Sequence, residues 1–232
     1  MITLRLCGEL IRDDWAELYR WFGIDSGFYC PADVRAAVDS LKPGEDLVLE
    51  INSVGGHVDA AAEIYAVLEK LQNPTRAEIQ SLAASAASYF ILACDRVEIS
   101  LAAQMMIHCA GWGVGGNKFD HLWAAQQLDE TDIAILDVYC RKCGEEHREE
   151  LKELMEAESY LSARRCLELG LVDAIIGDVS EPGAAALVAS IHSNTVRAMR
   201  TLPDIEDLRR RKLEQMEAQE KELAAEKARY SM

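Results

Sequence analysis

The stretch "SLAASAASYFILACDRVEISLAAQMMIH", Ser81 to His108, decides the fold class of this chain. It opens on small residues, which predict a helix from about Ala84 that packs closely against a sheet. Two short segments follow, "RVEIS" and "QMMIH", and both predict strands. Strand and helix therefore alternate, and this alternation predicts an α/β fold with a largely parallel sheet.

The segments on either side continue the alternation. Upstream, "ITLRLCGEL" and "DLVLEI" predict strands, while "PADVRAAVDSL" and the segment from Val58 predict helices. Downstream, a long helical region follows Asn117, and "SARRCLELGLVDAII" predicts a short helix and a last strand. We therefore expect one compact unit over residues 1–177, a linker or peripheral helix over 178–203, and a charged helical tail over 204–232.

Composition excludes several classes of function. The chain has 40 acidic and 24 basic side chains and a net charge of −16, which argues against a nucleic-acid partner. No apolar run approaches the roughly 20 residues that span a bilayer, so we expect no membrane partner. The first ten residues lack the basic start and long apolar stretch of an export signal, which predicts a cytoplasmic protein.

The cysteines predict free thiols rather than disulfides or a metal site. There are seven, an odd number without framework spacing, which favours a reducing compartment. Cys140 and Cys143 form a CxxC, but no second pair stands at zinc-site spacing. Two packed thiols one helical turn apart are therefore favoured over a metal or redox site.

Two strand-to-helix junctions could carry chemistry. "NSVGG", Asn52 to Gly56, allows a sharp turn that points backbone N–H groups at an anion. Ser85 would lie at a helix start, where the amides of Ala86 and Gly55 could stabilise an oxyanion. A serine needs a base, and His108 ends an apolar strand before a glycine-rich loop.

Structural interpretations of the same residues stay open at this point. Ser85 could cap or pack a helix, and His108 could be a core histidine bonded to backbone. Ser53, His57 and Asp59 form an alternative cluster, although a solvated helix start explains it more simply. Ser81 and Ser88 are interpreted as packing or surface residues.

Four motifs together resemble the Clp protease proteolytic subunit (ClpP) family. "INSVGG" resembles INSPGG, "LAASAAS" resembles GxAASxA, "MMIH" matches the family's MIH, and "ESYLSARRCLELGLVDAI" resembles SAxEAxxxGLVD. The resemblance runs from Leu4 to about Gly177, and its pattern is most similar to phage and prophage ClpP-like proteases. It implies a ClpP/crotonase-like α/β spiral of repeated strand-strand-helix units with a helical handle at about 117–157.

The resemblance also implies the site residues. Ser85 becomes the nucleophile, His108 the general base, and Gly55 and Ala86 the oxyanion-hole donors. Glu158 occupies the position of the family's third triad residue, which is usually aspartate, while Asp173 matches the structural aspartate of GLVD. Val54 replaces the motif's proline, and Cys109 follows the histidine where glutamine or asparagine is usual; a Cys109–His108 pair is disfavoured because strand neighbours face opposite ways.

The resemblance thus implies a serine endopeptidase that needs no metal and no cofactor, acting in phage head maturation or ATPase-assisted protein degradation. The partners that the resemblance implies are a peptide or protein substrate, further copies in a homo-oligomeric ring (a heptamer or stacked rings), and an AAA+ unfoldase or a capsid or scaffold protein. The chain lacks a GxxxxGK[ST] motif, so ATP dependence would come from a partner. Two alternatives remain: a non-catalytic ClpP-like assembly protein and a crotonase-like acyl-CoA enzyme.

Overall fold

A computed structural model describes residues 1–177 together with Arg210 and Glu214. The predicted linker (178–203) and most of the predicted tail (204–232) lie outside the described residues. The strands are β1 Ile2–Leu10, β2 Phe28–Tyr29, β3 Leu47–Gly56, β4 Thr75–Ala84, β5 Arg96–Ser100, β6 Gln104–Ile107, β7 Ser159–Ser162 and β8 Ala174–Ile176. The α-helices are α1 Asp13–Trp21, α2 Pro31–Asp39, α3 Val58–Glu69, α4 Ala86–Phe90, α5 Lys118–Cys143, α6 Arg148–Glu156 and α7 Ala163–Glu168.

The eight described strands form one sheet. Six of them follow the order β2-β1-β3-β4-β5-β8, and every pairing along this path is parallel. β6 pairs with β4 in parallel and with β7 in antiparallel orientation. The predicted α/β class with a largely parallel sheet is confirmed.

Parallel strands require crossover connections, and the helices supply them. α3 connects β3 to β4, and α4 with the short 3-10 turn Ile91–Ala93 connects β4 to β5. The helices cover one face of the central strands, where Leu47, Leu49 and Ile51 are fully buried. The other face carries charged side chains, including the ion pairs Arg5–Glu50 and Arg76–Glu78. The carboxyl ends of β3 and β4 therefore lie side by side, and the ends of neighbouring strands are where parallel sheets place their ligand sites.

Three local predictions differ from the structure. β3 does not stop before "NSVGG" but runs through it to Gly56, because this segment pairs with β1 up to Leu10. The helix expected from about Ala84 begins at Ala86 and has only five residues. β7 was not predicted, because "SYLS" is too short and polar to stand out without its partner β6.

The long helical region after Asn117 consists of α5 and α6. Asn117 caps α5, since its side chain accepts a hydrogen bond from the Phe119 amide at 2.8 Å. Gly144, at φ 103°, ends the helix. Among the described residues, no helix has both the length and the apolar character needed to cross a membrane.

Candidate active site

Ser85 occupies the sharp turn between β4 and α4. Its φ and ψ are 54° and −129°, in the positive-φ region that non-glycine residues seldom adopt. Such a conformation costs roughly 1 to 3 kcal/mol and persists only where the surroundings enforce it. Here the Ser85 amide donates to the Met106 carbonyl at 2.8 Å, and the Ser85 carbonyl accepts from the Ser88 amide at 2.9 Å.

His108 reaches Ser85 because β4 and β6 are paired. The register places Ala84 beside Met106, so the residues that follow each strand meet at the same edge. His108 Nε2 lies 2.6 Å from Ser85 Oγ, within hydrogen-bond distance. For Nε2 to accept the hydroxyl hydrogen, the neutral ring must carry its own hydrogen on Nδ1. The two residues predicted as nucleophile and base are thus in direct contact.

Gly55 packs against Ser85. Its φ is +86°, and a Cβ at this position would fall 2.6 Å from Ser85 Cβ and 2.8 Å from the Ala86 nitrogen. The second glycine of the pair is required elsewhere: a Cβ on Gly56 would fall 2.0 Å from the Leu10 carbonyl oxygen. Neither glycine of "NSVGG" has room for a side chain. A Cβ at Gly55 would collide with the Ser85 turn, and a Cβ at Gly56 would collide with β1.

A buried hydroxyl network holds this turn. Ser53 is fully buried, and its Oγ donates to the Gly8 carbonyl at 2.8 Å and accepts from the Gly55 amide at 3.0 Å. The Tyr29 hydroxyl lies 2.8 Å from the same oxygen. Burial raises the pKa of Tyr29, which keeps the phenol protonated as a donor. The Gly55 N–H predicted for the oxyanion hole thus points at Ser53 in this structure.

Ala86, the second predicted oxyanion donor, is the first residue of α4. An N–H at this position has no acceptor within its own helix, so it is available to a ligand beside Ser85. α4 is too short for a large macrodipole, since only five residues contribute. The individual amide, rather than the helix dipole, is therefore the relevant group.

Glu158 lies opposite His108 but does not contact it by a hydrogen bond. The antiparallel register pairs Ile107 with Ser159, so the next opposed positions are His108 and Glu158. Glu158 has φ 50° and is exposed, and no hydrogen bond or ion pair engages its side chain within the described residues. Asp173 has another role: it accepts from the Val97 amide at 2.7 Å and pairs with Lys142 at 2.8 Å.

Ser88 is a packing residue, one of the two interpretations made from the sequence, and it also contacts the Ser85 turn. It is fully buried, and its Oγ donates to the Ser85 carbonyl at 2.5 Å. The hydroxyl of Tyr139, on α5, lies 2.5 Å from the same Oγ. The contact of Ser88 with Ser85 could have been predicted, because the two residues are three apart on one helical turn. Tyr139 could not, because it is 51 residues away in sequence.

Asp132 of α5 fixes the segment after His108. Its carboxylate accepts from the Ala110 amide at 2.6 Å. Burial and the nearby Asp132 charge raise the pKa of the Cys109 thiol to about 11. Cys109 is therefore a neutral thiol near pH 7, which agrees with the expectation that it is not a nucleophile paired with His108.

The other candidate residues are not brought together as a site. His57 Nδ1 lies 3.3 Å from the Leu10 carbonyl oxygen, and Asp59 pairs with Arg12 at 3.6 Å, so neither contacts Ser53 by a hydrogen bond. Burial raises the pKa of the Cys143 thiol to about 12, consistent with a packed thiol. Within residues 1–177 no group of three or more His, Cys, Asp or Glu side chains could hold a metal ion.

A serine on a strained strand-to-helix turn, hydrogen-bonded to a histidine, is the arrangement found in serine hydrolases. Comparison with known proteins agrees with this class. The family model described as Clp protease matches residues 35–179, more than half of the chain. The chain therefore belongs to the Clp protease family, and this membership supports peptidase activity.

The chain is also similar to curated proteins named ATP-dependent Clp protease proteolytic subunit 1. The protein from Chlamydia muridarum is 29% identical over 159 residues, covering 63% of this chain and 82% of the relative. The protein from Chlamydia trachomatis serovar D is 28% identical with the same coverage. The resemblance to the ClpP family inferred from four motifs is thus confirmed.

Proposed function

We propose that this chain hydrolyses peptide bonds through an acyl-enzyme formed on Ser85. The single observation that carries the proposal is the 2.6 Å contact between Ser85 Oγ and His108 Nε2. His108 takes the hydroxyl proton as Ser85 attacks the scissile carbonyl, and it returns that proton to the departing amine. Water then attacks the ester by the same route and releases the acid product.

The oxyanion of the tetrahedral intermediate is assigned to the amides of Ala86 and Gly55. The Ala86 N–H lies at the start of α4, next to Ser85, and Gly55 packs against Ser85. The Gly55 amide must exchange its hydrogen bond to Ser53 Oγ for one to the substrate oxygen. One such donor typically contributes about 2.7 to 4 kcal/mol to transition-state stabilisation.

Glu158 is the proposed third residue, acting on His108 rather than on the substrate. A carboxylate at His Nδ1 holds the ring in the tautomer that accepts the serine proton. The β6–β7 register supports this assignment because it sets Glu158 opposite His108. Its exposed side chain must turn toward the ring to make the contact.

The proposed setting is a homo-oligomeric ring that encloses the sites, in a reducing compartment such as the cytoplasm. All seven cysteines are free thiols, which suits that environment. The relatives are named as subunits of an ATP-dependent protease, which supports an ATPase partner. Phage head maturation, and a capsid or scaffold partner, stay predictions from the sequence resemblance.

The alternatives have unequal support. A crotonase-like acyl-CoA enzyme needs no serine and histidine within reach of each other, and the contact between Ser85 and His108 argues against it. A non-catalytic assembly protein has one specific observation in its favour, the exposed carboxylate of Glu158. Labelling of Ser85 by a fluorophosphonate distinguishes a non-catalytic assembly protein from a peptidase.

A fluorophosphonate probe tests the proposal directly. The full-length protein should be labelled at one serine, and peptide mapping should place the label on Ser85. Ser85→Ala should lose the label, because no other described serine contacts His108 by a hydrogen bond. Ser81→Ala, in the same stretch of sequence, is the matched control and should be labelled at the wild-type rate. Equal labelling of wild type and Ser85→Ala would refute the proposal.

The same assay measures the role of Glu158. Glu158→Gln should slow labelling about tenfold or more, because the ring loses the charge that orients it. Glu156→Gln removes an equivalent exposed charge two residues away and should have no effect. If the two variants behave alike, Glu158 is not the third residue.

A further inference from the structure

A large cavity adjoins the two halves of the candidate site. Its volume is about 770 Å³, and two of the segments that line it are Gly56 to Asp59, which directly follows Gly55, and Ala110 to Trp112, which begins two residues after His108. A substrate acyl carbonyl held at Ser85 would have its own side chain beside these segments. The cavity is therefore positioned to receive the residue whose peptide bond is cleaved.

The walls of this cavity combine apolar and charged groups. Val58, Ala62 and Leu128 provide apolar surface suited to an aliphatic stem. Four charged or titratable side chains also line it: Glu9, Arg12, His57 and Asp59. The selectivity of the cavity depends on which of these charges is unpaired.

Three of the four side chains have partners. Arg12 lies 3.6 Å from Asp59 and 3.6 Å from Asp14, so its charge is offset by carboxylates. His57 Nδ1 lies 3.3 Å from the Leu10 carbonyl oxygen. The His57 ring also packs edge-on against Trp15, with ring centroids 5.1 Å apart.

Glu9 is different. No hydrogen bond or ion pair to its side chain is present among the described residues, although the side chain is half-buried. Burial raises the pKa of its carboxyl, and the neighbouring His57 opposes that rise. The pairing of β1 with β3 places Glu9 directly beside Gly55, the glycine that packs against Ser85. An unpaired, partly desolvated carboxylate is costly to keep, and a cationic ligand relieves that cost.

We infer that this cavity is a specificity pocket for a lysine or arginine side chain on the acyl side of the scissile bond. The aliphatic stem packs on Val58, Ala62 and Leu128, and the cationic end pairs with Glu9. This inference rests on the proposed peptidase function and names the substrate class of the same site. The net charge of −16 adds a general attraction for basic substrates.

Two fluorogenic peptides test the inference on the full-length protein. They differ only in the residue before the scissile bond, which is lysine in one and norleucine in the other. Norleucine keeps the apolar stem and lacks the ammonium group. Wild type should cleave the lysine peptide with the higher kcat/KM, by about tenfold, the order expected when a buried polar partner is satisfied. Glu9→Gln should lower the lysine-to-norleucine ratio about tenfold.

Glu17→Gln is the matched control, since Glu17 is an exposed carboxylate on α1 that does not line the cavity. It should leave the ratio at the wild-type value. Both peptides are measured on one preparation, so partial unfolding of a variant cancels in the ratio. A wild-type preference for norleucine, or a ratio that Glu9→Gln does not change, would overturn the pocket assignment while Ser85-dependent cleavage upholds the proposed function. If neither peptide is cleaved and Ser85 is unlabelled, the proposed function fails and the pocket with it.

Discussion

Replacing Ser85 with alanine is expected to lower peptidase kcat by roughly 10⁴-fold or more, because no acyl-enzyme can then form. The change should leave the fold intact. The bonds that fix this turn, from the Ser85 amide to Met106 and from Ser88 to the Ser85 carbonyl, use only the backbone of residue 85. Steady-state cleavage of a fluorogenic peptide measures the loss, and thermal unfolding checks the fold.

His108→Gln should cause a loss of similar size, because the hydroxyl then has no base within reach. The double variant should be no slower than either single variant, since the two residues act as one unit. Ser81→Ala serves again as the control and should retain wild-type kcat. Additive losses in the double variant would mean that Ser85 and His108 work independently, contrary to their 2.6 Å contact.

The second large effect is expected at Gly55. Gly55→Ala would place a Cβ 2.6 Å from Ser85 Cβ and 2.5 Å from the Ala84 carbonyl oxygen, so the nucleophile must shift. Displacing a reacting group by about 1 Å can cost about 10²-fold, and disturbing an oxyanion donor a further 10²- to 10³-fold. We therefore expect kcat/KM to fall by about 10³-fold or more.

Two glycine controls separate the possible causes. Gly44 has φ +75° with nothing within 4 Å of an added Cβ, so Gly44→Ala imposes backbone strain without a collision. An added Cβ at Gly113 also meets nothing within 4 Å. Both variants should retain kcat/KM within a few-fold of wild type. Activity of Gly55→Ala equal to that of Gly44→Ala would show that contact with Ser85 is unimportant.

Much of the fold could be predicted because its strands carry short, mostly apolar runs. Leu47 to Ile51 indicates a strand because four of its five residues are apolar and buried, and the period of the apolar residues changes at Val58, where α3 begins. The extension of β3 through "NSVGG" could not be predicted. It depends on pairing with β1, and on a register shift between Ile51 and Ser53 on the β4 side.

The individual site residues could be predicted from the sequence, but their contact with each other could not. Ser85 stands out by its place before a small-residue helix, and His108 by its place after an apolar strand. Their contact depends on the parallel register of β4 with β6, which local sequence does not determine. Tyr29 and Tyr139 were missed for the same reason. Tyr29 contacts Ser53, 24 residues away in sequence, and Tyr139 contacts Ser88, 51 residues away.

The direction of the Glu158 side chain was also beyond prediction. Family resemblance supplied the position, and the β6–β7 ladder sets it opposite His108. The positive φ of 50° is a property of the turn between α6 and β7, and a glutamate gives no local signal for it. The β6–β7 register therefore accounts for the position of Glu158, while its proposed role requires a rotation of the side chain.

The acyl-enzyme itself is the most direct test of catalysis at Ser85. Wild-type protein is mixed with a slowly turned-over peptide ester, quenched in acid, and digested for mass spectrometry. Catalysis by Ser85 and His108 predicts an acyl adduct on the peptide that contains Ser85, and no adduct in Ser85→Ala. An adduct on another residue, such as Cys109 or Ser53, or turnover by Ser85→Ala at the wild-type rate, would contradict it.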